Sequence, residues 1–400
     1  PMRPSPLHPE SPLFLIILSA LMAFTSLSTD IYLPALPAME AALHGDAELT
    51  ITGFVAGFAL GQLFWGPVAD RTGRKLPLYI GIVLFVIGSV GCAMADSMQT
   101  LVLWRFFQAL GACVGPMLSR TMIRDLYGPQ EAAQMLSTLV MAMAVAPIVG
   151  PMLGGLLLKV SGWEANFWLL TGIGTLMFFA VCRLPETLPA ERREGGPLGK
   201  TFLGYWPLLH NRTFVRYTLC VTFFYMAIYA FIAGSPYVYI TYFGIDSSWY
   251  GPLFGVNILG VVALSAINRR LLRRHTLAWM LRISTRIAAL AGLCPAALAA
   301  TGTGGIWGVA LPVFVVFSMN GIIAACCNAA SLASVEGSRA GSAAALMGAM
   351  QYGSGMVSTP LLALFSDGTP RTMAVIIAVF VVLSALMVQG KGEEKASAVV

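Results

Sequence analysis

Two ionisable residues interrupt long apolar runs, and a charge held away from water needs a partner, a proton change or a wet cavity. Asp30 stands in STDIYLPALP and Arg105 in RFFQALGA. Counted from Leu13 at about 1.5 Å per residue, Asp30 lies roughly 26 Å along a helix, in the outer half of a bilayer. Arg105, counted inward from residue 99, reaches a comparable depth, so the two can share a cavity. Loss of water favours the neutral acid, whereas a nearby guanidinium favours the carboxylate. A motion that changes their separation would therefore couple protonation to conformation. The structural alternatives are an Asp30 that caps a broken helix ahead of Pro34 and an Arg105 that snorkels to the outer surface.

A second charged constellation lies in GPVADRTGRK, where Gly66 and Gly73 bracket Asp70 and Arg71 and are followed by Arg74 and Lys75. Glycine permits a tight turn, and charge pairs at a helix end can latch neighbouring helices. Arg120, Arg124 and Asp125, at the end of the run that contains Arg105, read as gate or structural charges. In AVAPIVGPMLGG, Pro147 and Pro151 weaken the helix ladder, and Gly150, Gly154 and Gly155 let another helix approach closely.

The elements that must carry these residues are membrane helices. The chain of 400 residues is 57% hydrophobic and 10% charged, with a mean hydropathy of +0.78. Soluble domains carry about 25% charged residues, so water is not the main solvent. The apolar runs lack the alternation of barrel strands, and only helices remain as spanning elements. The expected spans are 13–37, 49–69, 76–95, 99–122, 131–158, 163–183, 213–238, 250–268, 276–300, 304–327, 340–365 and 371–389, which makes twelve. The first exceeds a signal-peptide core and contains Asp30, so it is expected to stay as a membrane helix. Arg286 breaks the apolar pattern of the ninth; it either faces a cavity or shows that the boundary of this span is misplaced.

Lys and Arg sort into alternate loops. One set holds Arg71, Arg74 and Lys75, then Arg124, the residues between Arg183 and Arg216, Arg269 to Arg274, Arg339 and the tail; the other offers only Lys159 and Arg371. Positive loops stay cytoplasmic, so both termini are expected in the cytoplasm, and the net charge of +6 reflects topology rather than nucleic-acid binding. The seven cysteines and four histidines show neither paired spacing nor a cluster, so no metal, disulfide or catalytic triad is expected. PETLPAERREGGPLGK divides the chain into bundles at 1–190 and 213–400 joined by a cytoplasmic linker at 191–212. A shift of 198 residues superposes Gly53, Gly57, Asp70 and Arg71 on Gly251, Gly255, Asn268 and Arg269, as expected of repeated halves.

These motifs carry a family resemblance. GPVADRTGRK resembles the loop signature of the major facilitator superfamily, with Val68 where Leu is usual, and RFFQALGA resembles its R-x-x-Q-G-x-G element with an altered glycine pattern. The G-P-x-x-G-G run resembles a signature shown mainly by antiporters, and PETLP the family's sixth-helix ending, which puts Glu186 near Asp70 and Arg124. Together with the D-x-Y-L-P segment and IRDLY, the chain resembles the Bcr/CflA family of drug-resistance transporters. The resemblance implies an all-α membrane fold of twelve transmembrane helices in two pseudosymmetric six-helix bundles, with substrate bound between them. It implies a proton-coupling role for Asp30, with Arg105 beside it, and an antiporter role for Pro147, Gly150, Pro151, Gly154 and Gly155.

The expected function is proton-coupled export of antibiotics or other small amphipathic compounds across the bacterial cytoplasmic membrane. Candidates for the substrate cavity are Tyr32, Gln108, Tyr225, Tyr229, Asn257, Asn320 and Gln351. The expected partners are a drug-like small molecule, protons and the lipid bilayer, with no other cofactor and no second subunit. No phosphate-binding loop of the G-x-x-x-x-G-K-[ST] type is present, so ATP is not required. An importer or facilitator of a native metabolite on the same fold is the alternative. An enzyme is disfavoured by the lack of a recognisable nucleophile, metal cluster or cofactor loop.

Overall fold

The computed structural model describes residues 11–127, 129–193, 205–272, 274–301, 304–335 and 340–389. A helical segment lies on each of the twelve expected spans. The helices are α1 (Pro12–Asp30), α2 (Leu36–Leu43), α3 (Leu49–Thr72), α4 (Lys75–Ala93), α5 (Met98–Ala112), α6 (Val114–Leu126), α7 (Pro129–Ser161) and α8 (Glu164–Cys182). They continue as α9 (Trp206–His210), α10 (Arg212–Pro236), α11 (Ser247–Leu271), α12 (Leu277–Thr301), α13 (Gly305–Ser318), α14 (Asn320–Ala333), α15 (Ala340–Gly353), α16 (Gly355–Phe365) and α17 (Arg371–Val388). Among the described residues ten helical segments are long and apolar enough to cross a membrane by themselves. The spans expected at 131–158 and 340–365 are the other two: the first lies within α7, and the second is carried by α15 and α16, which meet at Ser354.

Side-chain exposure is the reverse of a soluble protein's. Val160, Leu364, Leu176 and Leu290 stand on the surface, while Asp30, Arg105, Gln108 and Asn166 are buried. Lipid is an adequate solvent for the former, and the latter must find partners inside.

The chain divides into two compact units, Pro1–Thr201 with Asp246–Gly251, and Phe202–Ile245 with Pro252–Val400. In the first, α3 lies on α5 through a glycine stripe. A Cβ at Gly53 would stand 2.6 Å from the Val102 carbonyl oxygen, one at Gly57 would overlap that of Phe106, and one at Gly61 would stand 2.5 Å from Cys113 Sγ. This approach sets the face of α5 that carries Arg105. In the second unit α10 and α12 both pack along α17. Asn211 caps α10, accepting from the Phe214 N–H and donating to the Ser334 carbonyl.

Candidate functional site

Helix α1 ends at Asp30; Pro34 follows within a short 3₁₀ turn at Leu33–Ala35, and Pro37 stands in the first turn of α2. Proline supplies no N–H to continue the ladder, which is why the first span breaks there. Helix α7 is clamped against this break. A Cβ at Gly154 would collide with the Ile31 carbonyl oxygen, and one at Gly150 would touch Leu27, Ile31 and Asp30. Gly155 abuts the Ser247 carbonyl. Pro147 and Pro151 lie inside α7, one three residues before Gly150 and the other directly after it.

Arg105 is 1% exposed and Asp30 6% exposed, but they form no ion pair. Arg105 instead sits in a cage. Its guanidinium lies 4.2 Å from the ring centres of both Tyr32 and Phe54 and 5.9 Å from that of Phe167. Its Nη1 donates to the Ser28 carbonyl, two residues before Asp30, at 3.1 Å and to Gln108 Oε1, while Nε is buried without a protein partner. Gln108 passes the polarisation on, donating to Ser89 Oγ at 2.7 Å, and Ser89 donates to the Phe85 carbonyl. Ring faces attract a desolvated cation, but they supply no counter-charge. The shared environment of Asp30 and Arg105 is therefore a buried one with the acid and base held apart.

Tyr32 and Gln108, expected at the substrate cavity, are fully buried and build this cage. Tyr32 also connects the cage to the next loop. Thr50 gives its hydroxyl proton to the Ala47 carbonyl at 2.6 Å, so Tyr32 donates to Thr50 Oγ1 at 3.1 Å. Glu40 Oε1, on α2, accepts the N–H of Ala47 in that loop, and Glu48 lies buried at the start of α3. Burial and the facing Glu40 carboxyl push the Glu48 acid up to about 7.

The second constellation centres on Arg74. Its Nη1 pairs with Asp70 at 2.6 Å, and Nε and Nη2 reach the two oxygens of Asp125 at 2.8 and 3.3 Å. Two-pronged pairing with a mostly buried carboxylate is the strong form of such contacts. These two carboxylates also hold the Arg74 guanidinium above its ordinary range against the opposing effect of burial. Glu186 accepts the backbone N–H groups of Arg74 and Lys75 at 2.8 and 3.2 Å, so it caps the start of α4 from a distant part of the chain. Thr187 donates to Asp125 at 3.0 Å. Gly73 has φ of +90°, and a Cβ there would meet Glu186 at 2.5 Å, so both backbone and space require glycine.

Not every expected member takes part. Gly66 faces open space, Arg71 Nε is buried without a protein partner, and Lys75 turns to the Cys182 carbonyl and the Tyr79 ring. The Arg124 side chain lies outside the described residues. In the second unit Tyr225 stacks edgewise near Tyr229 and Tyr352, Gln351 is buried, and Asn257 bonds back to the Leu253 carbonyl of its own helix. Asn320 has a buried Oδ1 without a protein partner. Sequence reasoning missed Phe54, Phe167 and Thr187, and also Asn166, whose amide is buried unpartnered close to the Gly154 approach. Asn166 was legible as a polar residue inside a span; the two phenylalanines carry no such signal.

A helical membrane fold with a caged internal arginine and a charge-latched helix turn defines a transporter class, and residues 18–360 match the model of the Major Facilitator Superfamily. The chain belongs to that superfamily and is a transporter, not an enzyme. It is 32% identical to an uncharacterized MFS-type transporter, YdgK, of Bacillus subtilis over 95% of each chain. It is 27% identical to a bicyclomycin resistance protein homolog of Haemophilus influenzae over 94% of each. Multidrug resistance protein D of Escherichia coli is 27% identical over 86% of this chain and 87% of its own. Among solved structures, a D-xylose-proton symporter superposes with a TM-score of 0.76 at 14% identity, covering 94% of this chain and 97% of that one. A bacterial homolog of the human lysosomal transporter Spinster gives 0.75 at 18% identity, covering 95% and 97%. These likenesses establish the fold.

Proposed function

We propose that this transporter exports antibiotics or other small amphipathic compounds in exchange for protons, by alternating access. It would work as a single subunit in the bacterial cytoplasmic membrane with both termini in the cytoplasm. The observation that carries the reading is the α1 break: an acid and a caged arginine lie close to one buried turn, and Gly150 and Gly154 of α7 clamp that turn. Movement of α7 against α1 would change the surroundings of Asp30 and its distance from Arg105, which makes proton uptake and helix movement one event. Protons are the only coupling agent required; each is worth about 2.3 kcal/mol per 100 mV of membrane potential. The Arg74, Asp70, Asp125 and Glu186 network would hold one state of the cytoplasmic end. The resistance-protein relatives support drug as the cargo.

Inverted membrane vesicles containing the protein, energised and offered a panel of antibiotics, test this directly. Accumulation that an uncoupler abolishes is the expected result. Uncoupler-insensitive equilibration of every compound would refute proton-driven export and leave the importer or facilitator reading.

A further inference from the structure

The second unit carries a cationic surface that transport chemistry does not use. Helix α17 has 18 residues, about 27 Å at 1.5 Å per residue, close to the thickness of a bilayer core. Gln389, the residue after its end, therefore stands at headgroup level, on the face that the arginine distribution assigns to the cytoplasm. Arg286 Nε and Nη2 both donate to Gln389 Oε1, at 2.9 and 2.6 Å. This places Arg286 near the cytoplasmic boundary, on the helix that starts at Leu277.

Arg286 is not turned inward. It lies on one exposed stripe with Trp279, Leu290 and Leu293, which are 39%, 67% and 49% exposed; successive steps of seven, four and three residues keep to a single helix face. Leucine and tryptophan exposed around a guanidinium at this depth mark a surface that meets lipid. Arg282, partly exposed, lies one turn closer to the cytoplasm. Two like charges at that spacing repel each other. Among the described residues neither has a carboxylate within ion-pair distance. Gln389 Nε2 is buried without a partner among the described residues. Arg216 already serves the α17 end, donating to the Met387 carbonyl.

We propose that Arg282, Arg286 and Gln389 form a binding site for the phosphate of an anionic phospholipid in the cytoplasmic leaflet. The guanidinium fork matches phosphate oxygens, and a basic pocket between membrane helices at this level suits an acidic headgroup. The lipid would cancel the Arg282–Arg286 repulsion and pin α12 to α17.

The test uses the purified full chain in phosphatidylcholine nanodiscs, titrated with phosphatidylglycerol or cardiolipin, with bound lipid read by native mass spectrometry and folding by thermal melting. Wild type should retain the anionic lipid and melt higher with it. Arg286→Gln and Arg282→Gln should each weaken retention about tenfold, the worth of one charge-assisted hydrogen bond. Arg286→Lys should fall between, because it keeps the charge without the fork, and Arg371→Gln should match wild type. Equal retention by wild type and a folded Arg286→Gln chain would overturn the site. Stabilisation reproduced in full by free inorganic phosphate would overturn its assignment to lipid.

Discussion

At the scale of single residues, the first unit handles its buried charges in three ways. Arg105 receives ring faces and neutral oxygens, Arg74 receives two carboxylates, and Glu48 receives another acid. The last arrangement has a pH signature. Burial first, and then the charges of Glu40 and Asp46, raise Glu48 from an ordinary 4.5 to about 7. The folded protein then binds that proton more tightly than the unfolded chain. Stability is fully present below about pH 4.5 and is lost as pH rises to about 7. Glu48→Gln keeps the donor of the neutral acid and cannot ionise. Its melting temperature in detergent should decline less across this window than that of wild type; parallel declines would exclude Glu48 as the titrating group.

The helices show why some of this was legible in the sequence and some was not. Asp30, Arg74 and Arg105 stand out because charge is costly in an apolar run, and Gly73 and Gly154 because the motifs mark close turns and contacts. The cage walls were hidden. Tyr32 looked like a cavity residue, Phe54 and Phe167 are indistinguishable from the other aromatics of a span, and only packing of α1, α3, α5 and α8 brings them to one guanidinium. Gly66 erred the other way, since its place in a loop motif suggested a tight turn and the structure puts it inside α3 facing open space. The two glycines therefore separate by experiment. Gly154→Ala must push α7 off the Ile31 carbonyl and should cost about 1–3 kcal/mol as an overpacked contact, with loss of transport. Gly66→Ala should be neutral or gain up to about 1 kcal/mol from helix propensity. Thermal melting of both variants checks the contrast, and equal melting would mean that α7 does not rest on the α1 break as described.

Across the whole molecule, the composition determined the solvent before any motif was considered, and the outward leucines and inward charges follow from it. Family membership supplies a transporter; direction and coupling rest on the α1 break. In proteoliposomes bearing purified protein and an imposed pH gradient, uphill movement of a bicyclomycin- or chloramphenicol-class antibiotic measures that coupling directly. Asp30→Asn preserves volume and capping ability but cannot carry a proton. Wild type should concentrate the antibiotic against its gradient, and Asp30→Asn, folded and reconstituted to the same density, should lose uphill transport while retaining downhill exchange. Uphill transport by Asp30→Asn at the wild-type rate would contradict the account and reduce Asp30 to the cap of a broken helix.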